Sequence, residues 1–359
     1  MRHLANPMRG RSTDDALAEG IAVEPSRPLR LLAHCPAHAP TSLTEAPELA
    51  AEAGIGALHL KDERERMGLG SFKALGGAYA VALVVQRRAE EALGAPVAEA
   101  ELTSERVRAA CEGLVVCCAS AGNHGLSVAA GARVFGIAAR IYLAETVPEA
   151  FAERLRGLGA EVVRAGAIYE EAMAAATRDP GVLISDSTWP GYLTPALEVL
   201  EGYCVMAAEA VEAMPEPPTH IFLQAGVGGL AAALTATFRA RWGDGPAIVV
   251  VEPTEAPCLM EGVRAGAPVT VEGGVSSMGR LDCKDPSIAA LALLSREADH
   301  FVALTEAEAA DGIARMAEVG WATTPSGGAG VVAALHPQVR EAVGMGSGSR
   351  VLCVVSEQA

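Results

Sequence analysis

Short apolar runs alternate along this chain with longer stretches of small apolar residues at helical spacing. Leu58 to Lys61, Leu114 to Ala119, Ala139 to Leu143, Glu161 to Arg164, Val182 to Ser185, His220 to Gln224, Ala247 to Val251, Phe301 to Leu304 and Arg350 to Val355 read as strands. Most are brief, rich in Val, Ile and Leu, and bounded by turn residues. Pro47 to Ala53, Ala74 to Arg88, Gly125 to Phe135, Pro148 to Leu158, Tyr169 to Thr177, Leu193 to Met214 and Glu306 to Glu318 read as helices. The repeated strand–helix–strand rhythm predicts parallel sheets covered on both faces. Residues up to Pro28, polar and punctuated by proline, read as a poorly ordered arm, and Leu29 to Ala33 as a first short strand. Ala89 to Arg108 reads as a loop followed by the start of a helix.

Four junctions in this pattern carry chemistry. In Lys61–Ala80, KDERERMGLGSFKALGGAYA, Gly68 and Gly70 loosen the backbone before Ser71, which can cap a helix starting beside Lys73. Ala74, Leu75, Gly76, Gly77 and Ala78 are small or apolar, so Lys73 is expected to be desolvated and its pKa lowered, which frees the amine as a nucleophile. In isolation the window also describes a solvated lysine at a helix start. Ser120-Ala-Gly-Asn-His-Gly125 joins a strand to a helix, an arrangement whose backbone amides bind anions. Gln224-Ala-Gly-Val-Gly-Gly-Leu230 does the same and reads as a phosphate cradle. Thr324-Pro-Ser-Gly-Gly-Ala-Gly330 opens a third small-residue helix.

The order of these windows resembles the fold-type II pyridoxal-phosphate enzymes, the superfamily of tryptophan synthase β and threonine dehydratase. Within it, KDE..R.GLGSFKALGGAYA, Asp186-Ser-Thr-Trp-Pro-Gly-Tyr192, Gly202-Tyr203, Gln224 to Gly228, Val251-Glu-Pro253 and Met278 to Pro286 are similar to diaminopropionate ammonia-lyase. The similarity runs from about Lys61 to Leu335, with two departures. Where the family has T-D-G-N-H-G, this chain has Ala121 in place of the acid. Where it has G-E-S-G-A, this chain reads Thr-Pro-Ser-Gly-Gly-Ala. Both windows look more like the dehydratases.

The resemblance implies two parallel-sheet α/β domains with the cofactor in the crevice between them. Residues 1–79 and 186–359 would form the large domain and 80–185 the small one. Pyridoxal 5'-phosphate would be held covalently by Lys73. Gly226, Val227, Gly228, Gly229 and Leu230 would bind its phosphate, Asn123 its phenolic oxygen, and Ser326 (or Thr324) its ring nitrogen. A hydroxyl at that nitrogen suits prompt β-elimination over transamination. Ser120, Ala121 and Asp186 would meet the substrate, with Asp186 taking a β-ammonium group; the same Asp186 also reads as a strand-end cap. His124 reads as a hydrogen-bonded histidine shaping its turn, Glu252 as either a cofactor neighbour or a structural glutamate. Ala121 cannot accept a proton, so Lys73 is expected to be the sole base at Cα and the substrate an L-amino acid.

Composition narrows the partners. The 359 residues carry a formal net charge of -16 and no basic stripe, which argues against nucleic acid and anionic membrane. Eight scattered cysteines lack zinc spacing and read as small buried hydrophobes of a reducing, cytoplasmic setting. The expectation is a cytoplasmic homodimer that releases ammonia from 2,3-diaminopropionate or a close analogue. The competing expectations are a serine, threonine or hydroxyaspartate dehydratase, a β-substituting transferase, a non-catalytic cofactor carrier and, last, a nucleotide-binding oxidoreductase.

Overall fold

Valine- and leucine-rich runs make two sheets, and the loops that leave their carboxyl ends make one cleft. The computed structural model describes residues 1–359. Its strands are β1 (Arg2–Ala5), β2 (Leu43–Glu45), β3 (Ala57–Asp62), β4 (Val115–Ala119), β5 (Ala138–Leu143), β6 (Glu161–Arg164), β7 (Val182–Leu183), β8 (His220–Gln224), β9 (Ala247–Pro253), β10 (His300–Leu304) and β11 (Arg350–Val355). The larger sheet has the order β1-β10-β9-β8-β11-β3-β2, the smaller β6-β5-β4-β7. All pairs in the smaller sheet are parallel, as are the five central strands of the larger one; β1 and β2 close its edges antiparallel. β8 is wholly buried and β9 and β11 nearly so, as strands covered on both faces require.

The helix Lys73–Leu93 straddles the boundary expected near residue 80 and packs against helices Asn123–Phe135 and Thr194–Ala213. Small residues set that approach. A Cβ on Gly202 would collide with the Leu75 carbonyl, and one on Gly131 would lie 2.9 Å from the Ala78 Cα.

Two expectations at the amino end are corrected. Residues 1–28 are not a loose arm: β1 adds to the sheet edge, and helices Asp15–Glu19 and Ser26–Leu32 follow. Polar tertiary contacts hold this segment, with the Met1 ammonium 2.7 Å from Glu308 and the Asn6 side chain donating to the Ser295 (2.8 Å) and Ala298 (2.6 Å) carbonyls. Leu29 to Ala33 is helical rather than extended, because Pro28 and Leu32 are buried at helical spacing while Arg27 and Arg30 stay outside. The helix from Lys73 also runs past Arg88 to Leu93, ending at Gly94 in the left-handed region (φ 64°).

Candidate functional site

Lys73, Ser120, Asp186, the loop 225–230 and Ser356–Glu357 each follow the carboxyl end of a strand, and contacts tie them into one cleft. Ser71 bonds the Lys73 amide (3.2 Å), and the helix then carries the lysine side chain into the cleft. The Lys73 Nζ donates to the Asp186 carboxylate and lies 5.2 and 5.7 Å from the ring centres of Phe72 and Tyr203. The Tyr203 hydroxyl itself has no hydrogen-bond partner.

The expected lowering of the Lys73 pKa is corrected. Burial, the largest single influence, pushes it down, but Asp186 and the Tyr203 hydroxyl together outweigh it and the net shift is well up. Reciprocally, burial pushes the Asp186 carboxyl up, and the Lys73 ammonium overcomes that to hold it well below its usual range. The pair is therefore a charged ammonium–carboxylate pair, with each side chain 22% exposed.

His124 is buried and neutral. Its Nε2 faces the Ile184 carbonyl at 2.9 Å, which can only accept, so Nε2 carries the proton. Nδ1 is buried without a partner, and burial lowers the ring's pKa. Tyr169, which opens helix Tyr169–Thr177, is 51% exposed as a residue; enclosure of its hydroxyl end and the charge of Asp186 raise its pKa.

The Gly226–Leu230 loop is built for an anion. The backbone amides from Gly226 to Leu230 bond to no backbone acceptor, and they open the 14-residue helix Gly229–Trp242. The glycines are required by space: a Cβ on Gly226 would lie 2.9 Å from the Cys283 sulfur and 3.0 Å from the Arg280 carbonyl, and Gly228 has φ 101°. Gly229 would place a Cβ 3.5 Å from the Asp186 carbonyl, so the cradle adjoins the lysine pair. Burial pushes the Cys283 thiol up to about 12, which leaves it inert beside that loop. A lysine amine next to free amides at a helix start fits a phosphorylated aldehyde.

Across the cleft, Ser120 Oγ accepts from the Gly122 (3.3 Å) and Gly125 (3.0 Å) amides and shapes the turn. Asn123 Nδ2 donates to Glu357 at 2.5 Å, which leaves its other N–H free. Ser326 Oγ accepts from the Arg280 amide (3.1 Å), while Thr324 caps its helix through the Gly327 amide (2.9 Å) and donates to Glu357. Ser356, at the end of β11, is bonded by Gln224 Nε2 at 3.1 Å. Glu252 lies apart from this network: its two oxygens accept the Leu259 and Met260 amides, both at 2.8 Å, and cap helix Cys258–Ala265.

The structure thus brings together Lys73, Asp186, Asn123, Ser120, Ala121, the 226–230 loop and Ser326. Sequence reasoning missed Tyr169, Ser356, Arg280 and Glu357. Two signals were available: Arg280 lies in the Met278 to Pro286 window that resembles the family, and Ser356 and Glu357 end a strongly apolar strand.

The sequence profile of the family "Pyridoxal-phosphate dependent enzyme" matches residues 35–357. A diaminopropionate ammonia-lyase of Salmonella typhimurium is 32% identical over 77% of this chain and 72% of its own. An L-threonine ammonia-lyase of Thermotoga maritima is 30% identical over 62% of this chain and 54% of its own. The crystal structure of the Escherichia coli diaminopropionate ammonia-lyase in complex with D-serine superposes with a TM-score of 0.86 at 24% identity, covering 99% of this chain and 93% of that one, and shows a shared fold.

Proposed function

The chain belongs to the pyridoxal-phosphate dependent enzyme family, and we propose that it is an ammonia-lyase converting L-2,3-diaminopropionate to pyruvate and ammonia. The observation that carries this reading is the Lys73–Asp186 pair set beside the free amides of Gly226 to Leu230. Pyridoxal 5'-phosphate, when bound, supplies an aldehyde that takes an amine covalently and a ring that draws electrons from the Cα–H bond.

The protein does the rest. Lys73 would hold the aldehyde through Nζ, and as a free amine it would be the base for the Cα proton. The five amides hold the phosphate and the helix dipole favours its charge. The free N–H of Asn123 holds the phenolic oxygen, and Ser326 is the residue assigned to the ring nitrogen. With Lys73 engaged through its amine, Asp186 would no longer be held by a free ammonium and would face the cleft as a carboxylate open to another cation. That anion suits a substrate whose leaving group is an ammonium, and it is the reason for preferring diaminopropionate over a hydroxy amino acid. Ser120 and Ala121 line the substrate side, and Ala121 offers no second base.

A dehydratase remains the alternative, supported by the Ala121 loop and by relatives such as the threonine ammonia-lyase. We also place the enzyme in the cytoplasm as a homodimer. Eight unpaired cysteines support a reducing setting, and no helix is long and apolar enough to cross a membrane. Size-exclusion mass near twice 36.8 kDa would support the dimer.

The test is to load the protein with pyridoxal phosphate, confirm the cofactor's absorbance band, and add L- and D-2,3-diaminopropionate separately. Pyruvate and ammonia from the L-isomer are expected, with the D-isomer at least tenfold slower in kcat/KM (roughly one decade is the least a missing base would give). Faster turnover of L-serine or L-threonine would favour the dehydratase. Equal turnover of both isomers would overturn the role of Lys73 as sole base.

A further inference from the structure

Arg280 lies between Ala265 and Ile288, in a long loop whose backbone at Arg280 packs against Gly226 (a Cβ there would lie 3.0 Å from the Arg280 carbonyl). Its amide is fixed by Ser326 (3.1 Å) and its Nε donates to Glu357 Oε2 at 3.0 Å. Glu357 is an unusually well-held anchor: its carboxylate is 6% exposed and also takes Asn123 Nδ2 (2.5 Å) and the Thr324 hydroxyl. With Nε tied to it, the guanidinium plane has one orientation. The terminal nitrogens Nη1 and Nη2 donate to no protein acceptor, and the side chain is 45% exposed.

What the plane faces is the Ser120–Gly125 turn. A Cβ on Gly122 would lie 3.6, 3.7 and 3.8 Å from Cδ, Nε and Cζ of Arg280, so the guanidinium lies over Gly122. The neighbouring amides of Ala121, Asn123 and His124 bond to no backbone acceptor and open the 13-residue helix Asn123–Phe135. A free guanidinium edge beside free helix-start amides is a receptor for a carboxylate, which offers about four lone pairs to both sets of donors.

We infer that Arg280 is a substrate-binding residue that takes the α-carboxylate of the incoming amino acid, and that Glu357 is its positioning residue. The inference rests on the proposed function only in that the substrate is an amino acid entering at Lys73. It completes the charge logic of the cleft. In the cofactor-free chain, Lys73 with Asp186 and Arg280 with Glu357 form two neutral pairs. The substrate's anionic end is then read by a cation whose free edge is unpaired, and its cationic end by Asp186. Arginine rather than lysine suits this task, because the fork binds through one nitrogen and presents the other two.

The test uses the holoenzyme and two ligands without a β-leaving group, L-alanine and L-alaninamide, titrated by the change in cofactor absorbance. Arg280→Gln is expected to weaken L-alanine about tenfold or more, as loss of a charged hydrogen-bonding partner implies, and to leave L-alaninamide within about twofold. Arg280→Lys should recover part of the loss. For turnover, KM should rise much more than kcat falls. An unaltered resting spectrum and melting temperature show that the variant is folded and loaded. Glu357→Gln, which keeps the anchor's shape, should move L-alanine in the same direction by less, and serves if Arg280→Gln does not fold. Equal weakening of both ligands, or no weakening of L-alanine, would overturn the inference. Pyruvate formation from β-chloro-L-alanine by the unaltered enzyme separates the two claims: if that substrate reacts and diaminopropionate does not, the choice of substrate fails while the Arg280 result stands.

Discussion

Lys61 and Lys73 stand at opposite ends of one loop, and their surroundings differ in a way that separates structure from chemistry. Lys61 is 1% exposed and its ammonium is saturated: Thr41 O, Thr41 Oγ1 and Glu209 Oε2 take its three protons at 2.5 to 2.6 Å. Arg66 joins the same knot, bonded to Glu63, Glu209, Thr41 and the Ala39 carbonyl. Two cations face two carboxylates with every donor used, which is the condition for burying charge at all. Lys73 has one acceptor and two aromatic faces. A lysine held by a single partner can leave it; a lysine held by three cannot.

The largest expected effect tests that difference on the active side. Lys73→Ala should abolish the cofactor band and lower elimination by about a thousandfold or more. The mirror experiment is Glu209→Ala. Removing one partner of a buried ion network costs about 3–5 kcal/mol, read as a drop in the urea midpoint. At a temperature where the variant stays folded, kcat should be within about twofold of the parent, a bound that follows from Glu209 lacking contact with the reacting groups. If Glu209→Ala lowers activity but not stability, the division between the two lysines fails.

These two regions were not equally legible in the sequence. The Lys73 window announces itself locally, through glycines, a serine and a run of small residues, so both the loop and its helix could be placed. The partner at residue 186 could be proposed from the family context, but its pairing with Lys73 joins positions 113 apart in the chain, and no period reveals that. The error over the Lys73 pKa has the same origin: burial is written in neighbouring residues, whereas the opposing carboxylate comes from the loop after β7. The Lys61 knot was invisible, because Lys61 looked like the end of a strand and Glu209 sits late in the helix Thr194–Ala213. Arg280 and Glu357 were missed for the same reason. The strands and helices of the two sheets, by contrast, follow from runs and periods that are local. The amino-terminal failure fits this rule, since polar side chains reaching Ser295, Ala298 and Glu308 hold it down.

Asp186→Asn gives a smaller, two-sided effect. In the unloaded protein the folded-state pKa of Asp186 is below its unfolded value, so it contributes stability above its unfolded pKa of about 4 and loses it as pH falls toward the folded value. Stability measured by denaturant titration below about pH 4 should therefore fall less steeply in Asp186→Asn. In the loaded enzyme, KM for L-2,3-diaminopropionate should rise at least about tenfold and KM for L-serine much less. A uniform rise for both substrates would mean that Asp186 orients Lys73 and does not read the ammonium.

Glu252 sharpens the contrast from a third side, as a buried carboxylate with no cation near it. Burial pushes its pKa up to about 8, against the pull of the Leu259 and Met260 amides. The sign is opposite to that of Asp186. Between about pH 4.5 and about 8 the unfolded chain has lost a proton that the folded one keeps, so stability falls as pH rises through that window. The size is on the order of 5 kcal/mol across it. Glu252→Gln keeps an oxygen for one amide and removes the titration, so its stability curve should be flatter from pH 5 to 8, with the variant gaining on the parent at the alkaline end. A slope unchanged by the substitution would mean that two amide N–H groups suffice to hold the carboxylate ionised. The cation partners in the Lys61 and Lys73 regions would then be needed for specificity of pairing rather than for tolerance of charge.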